Sequence, residues 1–409
     1  MAIARLRALS KDEKAVRDMV TLFVLALLVP LLLVDLVFVA EMATGLPRGQ
    51  RRKWQLPAGR TTIILPAHDE EQVIGRTLDA LTRAAANDFE ILVVADNCTD
   101  RTVAIAREFA VKTIERNDRE RRGKGFALAF ARDHLRPDPP AGIIVLDSDC
   151  RIDRDGLLAL AGACQQMRGP VQAINLLEPA PHAGPLVQVS SFAFLVKNLV
   201  RQRGLQRLTG GVHLTGTGMC LPWEMFKGAD LATASIVEDV RLGIELSQSG
   251  NHPTLIEEAQ VWSPHADQSS TLAQRSRWEG GFLTFARATA PGVLAAGLRT
   301  GSFRTLLTGL DLLVPPLALL ALLNVLALAG IVLLAAVGAA SWLPVFALSL
   351  IGLVAATVLL LVWWREGRAF LTAAALVRLP LYPLWKLPMY LKLARSGAPK
   401  QWQRTQRSE

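Results

Sequence analysis

The segment Ile143-Ile144-Val145-Leu146-Asp147-Ser148-Asp149 constrains this chain more than any other. Its four apolar residues, two isoleucines and a valine among them, read as a buried parallel strand. The run then stops at two carboxylates separated by one serine. In open α/β sheets, ligands gather just beyond the carboxyl ends of the strands. Two acids there form an oxygen-only site suited to Mg²⁺ or Mn²⁺, the ions that accompany phosphates. Asp and Ser are also ordinary turn residues, so the pair taken alone reads equally well as a strand-to-loop turn.

The surrounding pattern repeats the theme. Thr61–Leu65 reads as a first strand ending in Pro66-Ala67-His68-Asp69-Glu70-Glu71, and Glu90–Ala95 as a second ending in Asp96-Asn97-Cys98-Thr99-Asp100. Lys112–Glu115 makes a short third strand, and helical periods fall over Val73–Ala86, Arg101–Ala110 and Phe126–His134. This alternation predicts an α/β, Rossmann-like domain over residues 60–290, with a mostly parallel sheet covered by helices on both faces.

The chain also carries more apolar residues than such a domain needs, 51% of 409, concentrated near the start and in the last hundred residues. A basic tail (1–19) precedes Val20–Ala40, about 21 residues broken only by Pro30 and Asp35, which is long enough to span a bilayer. Basic residues flank both ends of that stretch, so charge does not orient it. Leu312–Val337 and Trp342–Trp364 predict a transmembrane hairpin within 306–364. In 368–409, Arg378, Lys386 and several prolines among Leu, Tyr and Trp predict interfacial helices, followed by a basic tail on the cytoplasmic side. The net charge of +9 suits anionic lipid headgroups or phosphorylated ligands. Nucleic acid is disfavoured because the basic residues are dispersed and no binding module is visible. Cys98, Cys150, Cys164 and Cys220 show neither CxxC spacing nor disulfide-framework density, which fits a reducing compartment.

Acids at three strand ends (Asp69 and Glu70, Asp96, Asp147 and Asp149) would line one crevice. Arg121-Arg122-Gly123-Lys124-Gly125 reads as a solvated basic loop, or as one whose glycines let backbone approach a phosphate at the start of the next helix. Walker A spacing is absent, and no GxGxxG follows the first strand, which disfavours dinucleotide chemistry. Glu238-Asp239, taken by itself, reads as a helix N-terminal acid pair. His213, His252 and His265 show no metal-ligand spacing and read as structural or surface residues.

The order PAHDEE, VVADNCTD, RRGKG, LDSD resembles the inverting family 2 glycosyltransferases of the GT-A fold, membrane-bound relatives of the cellulose and hyaluronan synthases. The resemblance continues through Thr215-Gly216-Thr217-Gly218-Met219, Ser235-Ile236-Val237-Glu238-Asp239 and Gln274-Arg275-Ser276-Arg277-Trp278, the last similar to a QxxRW motif. It covers about residues 60–285. Carried over by position, it implies that Pro66, Ala67, His68, Glu70 and Asp96 contact the nucleotide and that Lys124 and Arg277 lie by the diphosphate. It implies that Asp147 and Asp149 hold the divalent metal and nucleotide sugar. Asp239 is implied as general base, with Thr217, Gly218, Glu238, Gln274 and Trp278 on the acceptor side. Ser235-Ile236-Val237 departs from the threonine that often precedes the acids.

The chemistry of those residues agrees. A nucleoside diphosphate leaves with growing negative charge, which a divalent metal, Lys124 and Arg277 can stabilise. A hydroxyl is a poor nucleophile, and a carboxylate can take its proton as attack proceeds. The resulting expectation is a membrane-bound enzyme with its catalytic domain facing the cytoplasm. It would transfer a sugar from a nucleotide-sugar donor, a UDP-sugar foremost, to a hydroxyl of a lipid or lipid-linked acceptor with inversion, in polysaccharide or glycolipid synthesis. The rivals are a processive polysaccharide synthase, for which two spans after the catalytic domain leave few channel walls, and a catalytically silent scaffold that binds nucleotide sugar.

Overall fold

The computed structural model describes residues 11–233, 235, 237–264 and 268–397. Seven strands form one sheet: β1 (Thr61–Ala67), β2 (Phe89–Asp96), β3 (Lys112–Arg116), β4 (Gly142–Val145), β5 (Val171–Leu177), β6 (Met219–Pro222) and β7 (Thr254–Ser263). Their spatial order is β3-β2-β1-β4-β6-β5-β7. β6 runs antiparallel to both of its neighbours and every other pairing is parallel. The mostly parallel α/β architecture expected from the sequence is therefore present. Strand order reverses at β1/β4, and the crevice beyond a reversal is where open sheets bind ligands.

Alternation along the strands explains the two-sided burial. Ile63 and Leu65 of β1 and Ile144 of β4 pack with Leu78, Leu81, Leu157 and Leu160 of the helices on one face. Ile64, Ile143 and Val145 point the other way, onto Leu128, Trp223 and Phe226. Side chains alternate faces every residue in a strand, so a continuous apolar run is what a doubly covered sheet requires.

The N-terminal helix is longer than the apolar stretch predicts, running Lys11–Gly45 with Pro30 inside. At 1.5 Å per residue it reaches roughly 50 Å, well beyond a hydrocarbon core of about 30 Å. The surplus serves docking. Val37, Phe38 and Met42 join Phe192, Leu199 and Val200 in one buried cluster. Gly45 and Gly204 let two backbones touch: a Cβ on Gly45 would stand 1.9 Å from the Val200 carbonyl oxygen, and one on Gly204 2.0 Å from that of Glu41. Beside this crossing, Arg201 donates to Glu41 Oε2 (2.6 Å) and to Asp311 Oδ1 (2.7 Å). His213 completes the group against Asp311. His213 is thus structural, as read from the sequence, whereas His265 and the residues of both basic tails before 11 and after 397 lie outside the described residues.

Among the described residues, three helices are long and apolar enough to cross a membrane: Lys11–Gly45, Leu317–Ala336 and Leu343–Gly367. The hairpin begins later than the apolar run suggests. Residues 306–313 lie in a separate helix, Phe303–Leu313, packed on the long helix Gln268–Thr300 through contacts such as Leu306 on Gly297. Pro315-Pro316 break the chain before Leu317 because proline lacks the N–H a helix interior needs. The last segment is helical in pieces, Ala373–Leu376 and Tyr382–Ser396, and exposes Val377, Leu381 and Leu384.

Candidate active site

A cavity of about 920 Å³ opens beyond the carboxyl ends of β1, β2 and β4. Pro66, Ala67, His68 and Glu70 reach it from the end of β1 and the turn after it, Asp96 from the end of β2, and Asp147 and Asp149 from the loop after β4. Lys124, Thr217, Glu238, Asp239, Gln274, Arg277 and Trp278 also line it. Fourteen of the fifteen residues named from the sequence therefore share one chamber, with Asp149 and Asp239 on the same cavity.

The fifteenth, Gly218, is placed differently from the rest. It stands behind the wall and does not line the cavity. Its φ of +65° suits glycine, and a Cβ there would lie 2.6 Å from Val261 Cγ2 and 3.0 Å from Ala173 Cβ. Its N–H donates to the Val145 carbonyl at 2.8 Å and packs the loop onto the sheet.

Lys124 opens the helix Lys124–Leu135, where Gly123, at φ +129°, lets the basic loop turn in. The ammonium pairs with Asp147 and donates to the Gly216 carbonyl at 2.7 Å. Burial alone would lower its pKa, but Asp147, Glu238 and Asp239 outweigh that and hold it above the ordinary lysine range. The loop after β4 is fixed in turn, as the Asp147 N–H donates to Thr217 Oγ1 at 3.1 Å.

Asp147, Asp149 and Cys150 can each offer a ligand atom within 4.8 Å of the others. Burial pushes the Cys150 thiol well above its ordinary pKa, so it stays protonated. It donates weakly to Asp149 Oδ1 at 3.4 Å. The two carboxylates are left as a hard oxygen pair, which fits Mg²⁺ or Mn²⁺.

Glu238 and Asp239 open the helix Glu238–Gln248, so the helix-end reading and the cavity reading of the pair both hold. The protein around them penalises charge and raises both pKa values, with Glu238 pushed up to about 8 by burial and by its neighbour's charge. Asp239 has more to hold its charge: the Val240 N–H donates to Oδ1 at 2.8 Å, and Lys124 and Lys197 lie nearby. Glu238 is thus the member of the pair that holds a proton more readily, and Asp239 the one better supplied with groups that favour its charge.

Several partners escaped the sequence reading. Arg116, one residue past the expected end of β3, lies opposite Asp96 in the sheet register and donates to its Oδ1 at 2.6 Å. That register, invisible without the strand pairing, is the signal that would have found it. Asp69 does not line the cavity; its carboxylate accepts from the Thr99 N–H at 2.6 Å and ties the first two loops together. Arg275, inside the QxxRW stretch, is buried between Phe194 and Trp278, with Cζ 5.2 and 5.4 Å from their ring centroids, and donates to Ser190 Oγ at 2.9 Å. It fixes the angle of Trp278. Lys386 and Tyr390 of the last helix grip Glu279, the residue after Trp278.

Comparison with known proteins bears on the family and the fold. The profile of glycosyl transferase family group 2 matches residues 142–387, more than half of the chain, and that of glycosyl transferase family 2 matches residues 62–173. The mannosyltransferase PcManGT from Pyrobaculum calidifontis, solved with GDP-Man and Mn²⁺, shares the fold at a TM-score of 0.51 and 19% identity, covering 92% of this chain and 99% of that one. The probable glycosyltransferase YdaM of Bacillus subtilis (strain 168) is 37% identical over 70 residues, 17% of this chain and only 16% of that protein's length. With its acid-tipped GT-A-like sheet and a profile match over more than half of its length, the chain belongs to the family 2 glycosyltransferases.

Proposed function

We propose that this family 2 glycosyltransferase moves a sugar from a nucleotide-sugar donor to a hydroxyl of a lipid or lipid-linked acceptor with inversion, at the cytoplasmic face of a membrane. The observation that carries the reading is one cavity lined both by Asp147, Asp149 and Asp239 and by the apolar Phe38, Val314, Leu317 and Ala318. A soluble acceptor needs no such wall.

In this reading the nucleotide lies along Pro66–His68 and Glu70, with Asp96 held for it by Arg116. Asp147 and Asp149 hold the divalent cation, which when bound lends positive charge to the departing diphosphate. Lys124 and Arg277 add their charges as that leaving group develops. Asp239, the ionised member of its pair, takes the acceptor proton during attack, and Glu238 donates a hydrogen bond to the acceptor. Trp278 supplies a flat surface for the acceptor sugar or headgroup, with Gln274 beside it. A single displacement with one base inverts the anomeric centre. Membrane helices beside the cavity hold the acceptor at high local concentration.

The deciding experiment uses purified full-length protein with Mn²⁺ and a panel of nucleotide sugars in membranes carrying lipid acceptors. Asp239→Asn retains metal-dependent nucleotide binding and loses transfer; full turnover in that variant removes Asp239 from the role. Product length separates single addition from the processive alternative, in which long chains would accumulate on one acceptor. Donor turnover of any kind excludes a silent scaffold.

A further inference from the structure

Three buried side chains of the chamber have no part in the chemistry above, and each carries a polar atom left unpaired among the described residues. They are Asn175 Oδ1, Asn198 Oδ1 and Tyr382 Oη, on residues only 6%, 3% and 2% exposed. Polar atoms so deeply buried are nearly always hydrogen-bonded to protein, water or ligand, because an unpaired one costs its desolvation. On β5, Ile174 and Leu176 enter an apolar cluster while Asn175 and Leu177 alternate to line the chamber. Asn198 lies on the π-helical turn Val196–Arg201, a local widening that helices often carry at functional sites. Tyr382 opens the last helix and belongs to the same buried cluster as Phe38, Val314 and Ala318, which also line the chamber.

The Asn175 amide has a fixed sense. Thr215 Oγ1 gives its one proton to the Thr217 carbonyl at 3.4 Å, so it accepts from Asn175 Nδ2 at 3.4 Å and leaves Oδ1 over. The next residue, Gly216, is where a Cβ would stand 3.1 Å from Asp239 Oδ2, so Asn175 is tied to the loop beside the base. An amide oxygen only accepts hydrogen bonds, and two of them call for O–H or N–H groups, which an ionised phosphate lacks. A phenol both gives and accepts, as a hydroxyl does. A lipid alcohol brings one hydroxyl, and that one attacks and yields its proton to Asp239, leaving nothing for these three residues. A sugar ring brings several.

From this juxtaposition we infer that the acceptor is a neutral glycolipid, whose headgroup sugar donates hydroxyls to Asn175 and Asn198 and exchanges a hydrogen bond with Tyr382. Its hydrocarbon part lies against Phe38 and Leu317. The inference rests on the lipid-acceptor reading and narrows it: the enzyme extends a sugar already in place and does not glycosylate a bare lipid alcohol or lipid phosphate. An earlier glycosyl transfer onto the lipid must therefore supply its substrate.

The test is a calorimetric titration of the full-length protein in polyoxyethylene micelles with octyl glycosides of glucose, galactose, mannose and N-acetylglucosamine. Octanol, octyl phosphate and the matching methyl glycosides are the comparison ligands, and UDP and GDP with Mn²⁺ are titrated in parallel. At least one octyl glycoside binds the parent protein tenfold or more tightly than octanol and octyl phosphate. Asn175→Leu, Asn198→Leu and Tyr382→Phe each weaken it by about two- to tenfold, the scale of one hydrogen bond between neutral groups, and leave octanol binding unchanged. Nucleotide binding is equal in all four proteins, which also shows that the variants are folded. Octyl glycosides that bind no better than octanol or octyl phosphate overturn the inference, as do variants with undiminished glycoside affinity, whose buried atoms are then completed by water alone. Equal affinity for methyl and octyl glycosides overturns the lipid assignment, and loss of nucleotide binding in the variants moves these residues to the donor side and overturns it too. Failure of every protein to bind nucleotide with Mn²⁺ would instead strike the sugar-transfer reading itself.

Discussion

Gly216 offers a direct measure of how tightly the reacting groups are held. Its φ is +79°, a region that costs an L-residue about 1–2 kcal/mol. A Cβ placed there stands 3.1 Å from Asp239 Oδ2 and 3.4 Å from Lys124 Nζ. Gly216→Ala therefore does two separable things: it strains the loop, and it pushes the carboxylate aside by a few tenths of an ångström. The strain lowers Tm by roughly 2–8 °C on the scale of a domain of this size. Misplacement by 1 Å costs on the order of 100-fold in rate, so a shift of this extent predicts roughly a four- to tenfold fall in kcat. Gly250→Ala is the matched control. Its φ is +84° and nothing lies within 4 Å of the added methyl, so it carries the strain without the collision. The assay pairs thermal melting with steady-state sugar transfer for both variants. A Gly216→Ala enzyme with lowered Tm and undiminished kcat would refute the idea that this contact sets the position of Asp239. Equal kcat losses in both variants would do the same, since strain alone would then explain them.

Two further outcomes follow from the charges. Glu238, with its pKa pushed up to about 8, is protonated and a hydrogen-bond donor below that pH. Above it, the pair becomes doubly negative toward the acceptor, so transfer falls through an alkaline limb near pH 8. Glu238→Gln cannot ionise and removes that limb, and a limb that persists in the variant argues against the assignment. Arg201→Met leaves Glu41 and Asp311 as buried carboxylates without their shared cation, a change that costs about 3–5 kcal/mol. Melting of the full chain in detergent reads the loss, and adding Asp311→Asn recovers part of it; an unchanged Tm in the single variant would show that the ion group does not anchor the N-terminal helix.

The strands, their acid tips and the apolar helices are written locally, which is why the sequence alone determined them. An unbroken run such as Ile143–Leu146 can be satisfied only by cover on both sides, and the residues that interrupt it fall where the sheet ends. Local pattern does not show how Gly218 is packed, because a glycine that frees backbone to meet a ligand and one that lets a loop press against Val261 look alike in one dimension. Tertiary structure alone decided which partners those tips acquire. Arg116 meets Asp96 through sheet register, Arg201 meets Glu41 and Asp311 across 160 and 110 residues of chain, and Lys386 meets Glu279 from the far end. Hydrophobic periodicity reports what a segment must bury, and it is blind to which distant charge will be buried with it. Electrostatic pairing depends on distance in space, so the raised pKa of Glu238 and the approach of Lys124 and Lys197 to Asp239 became readable only once the chain had closed around them.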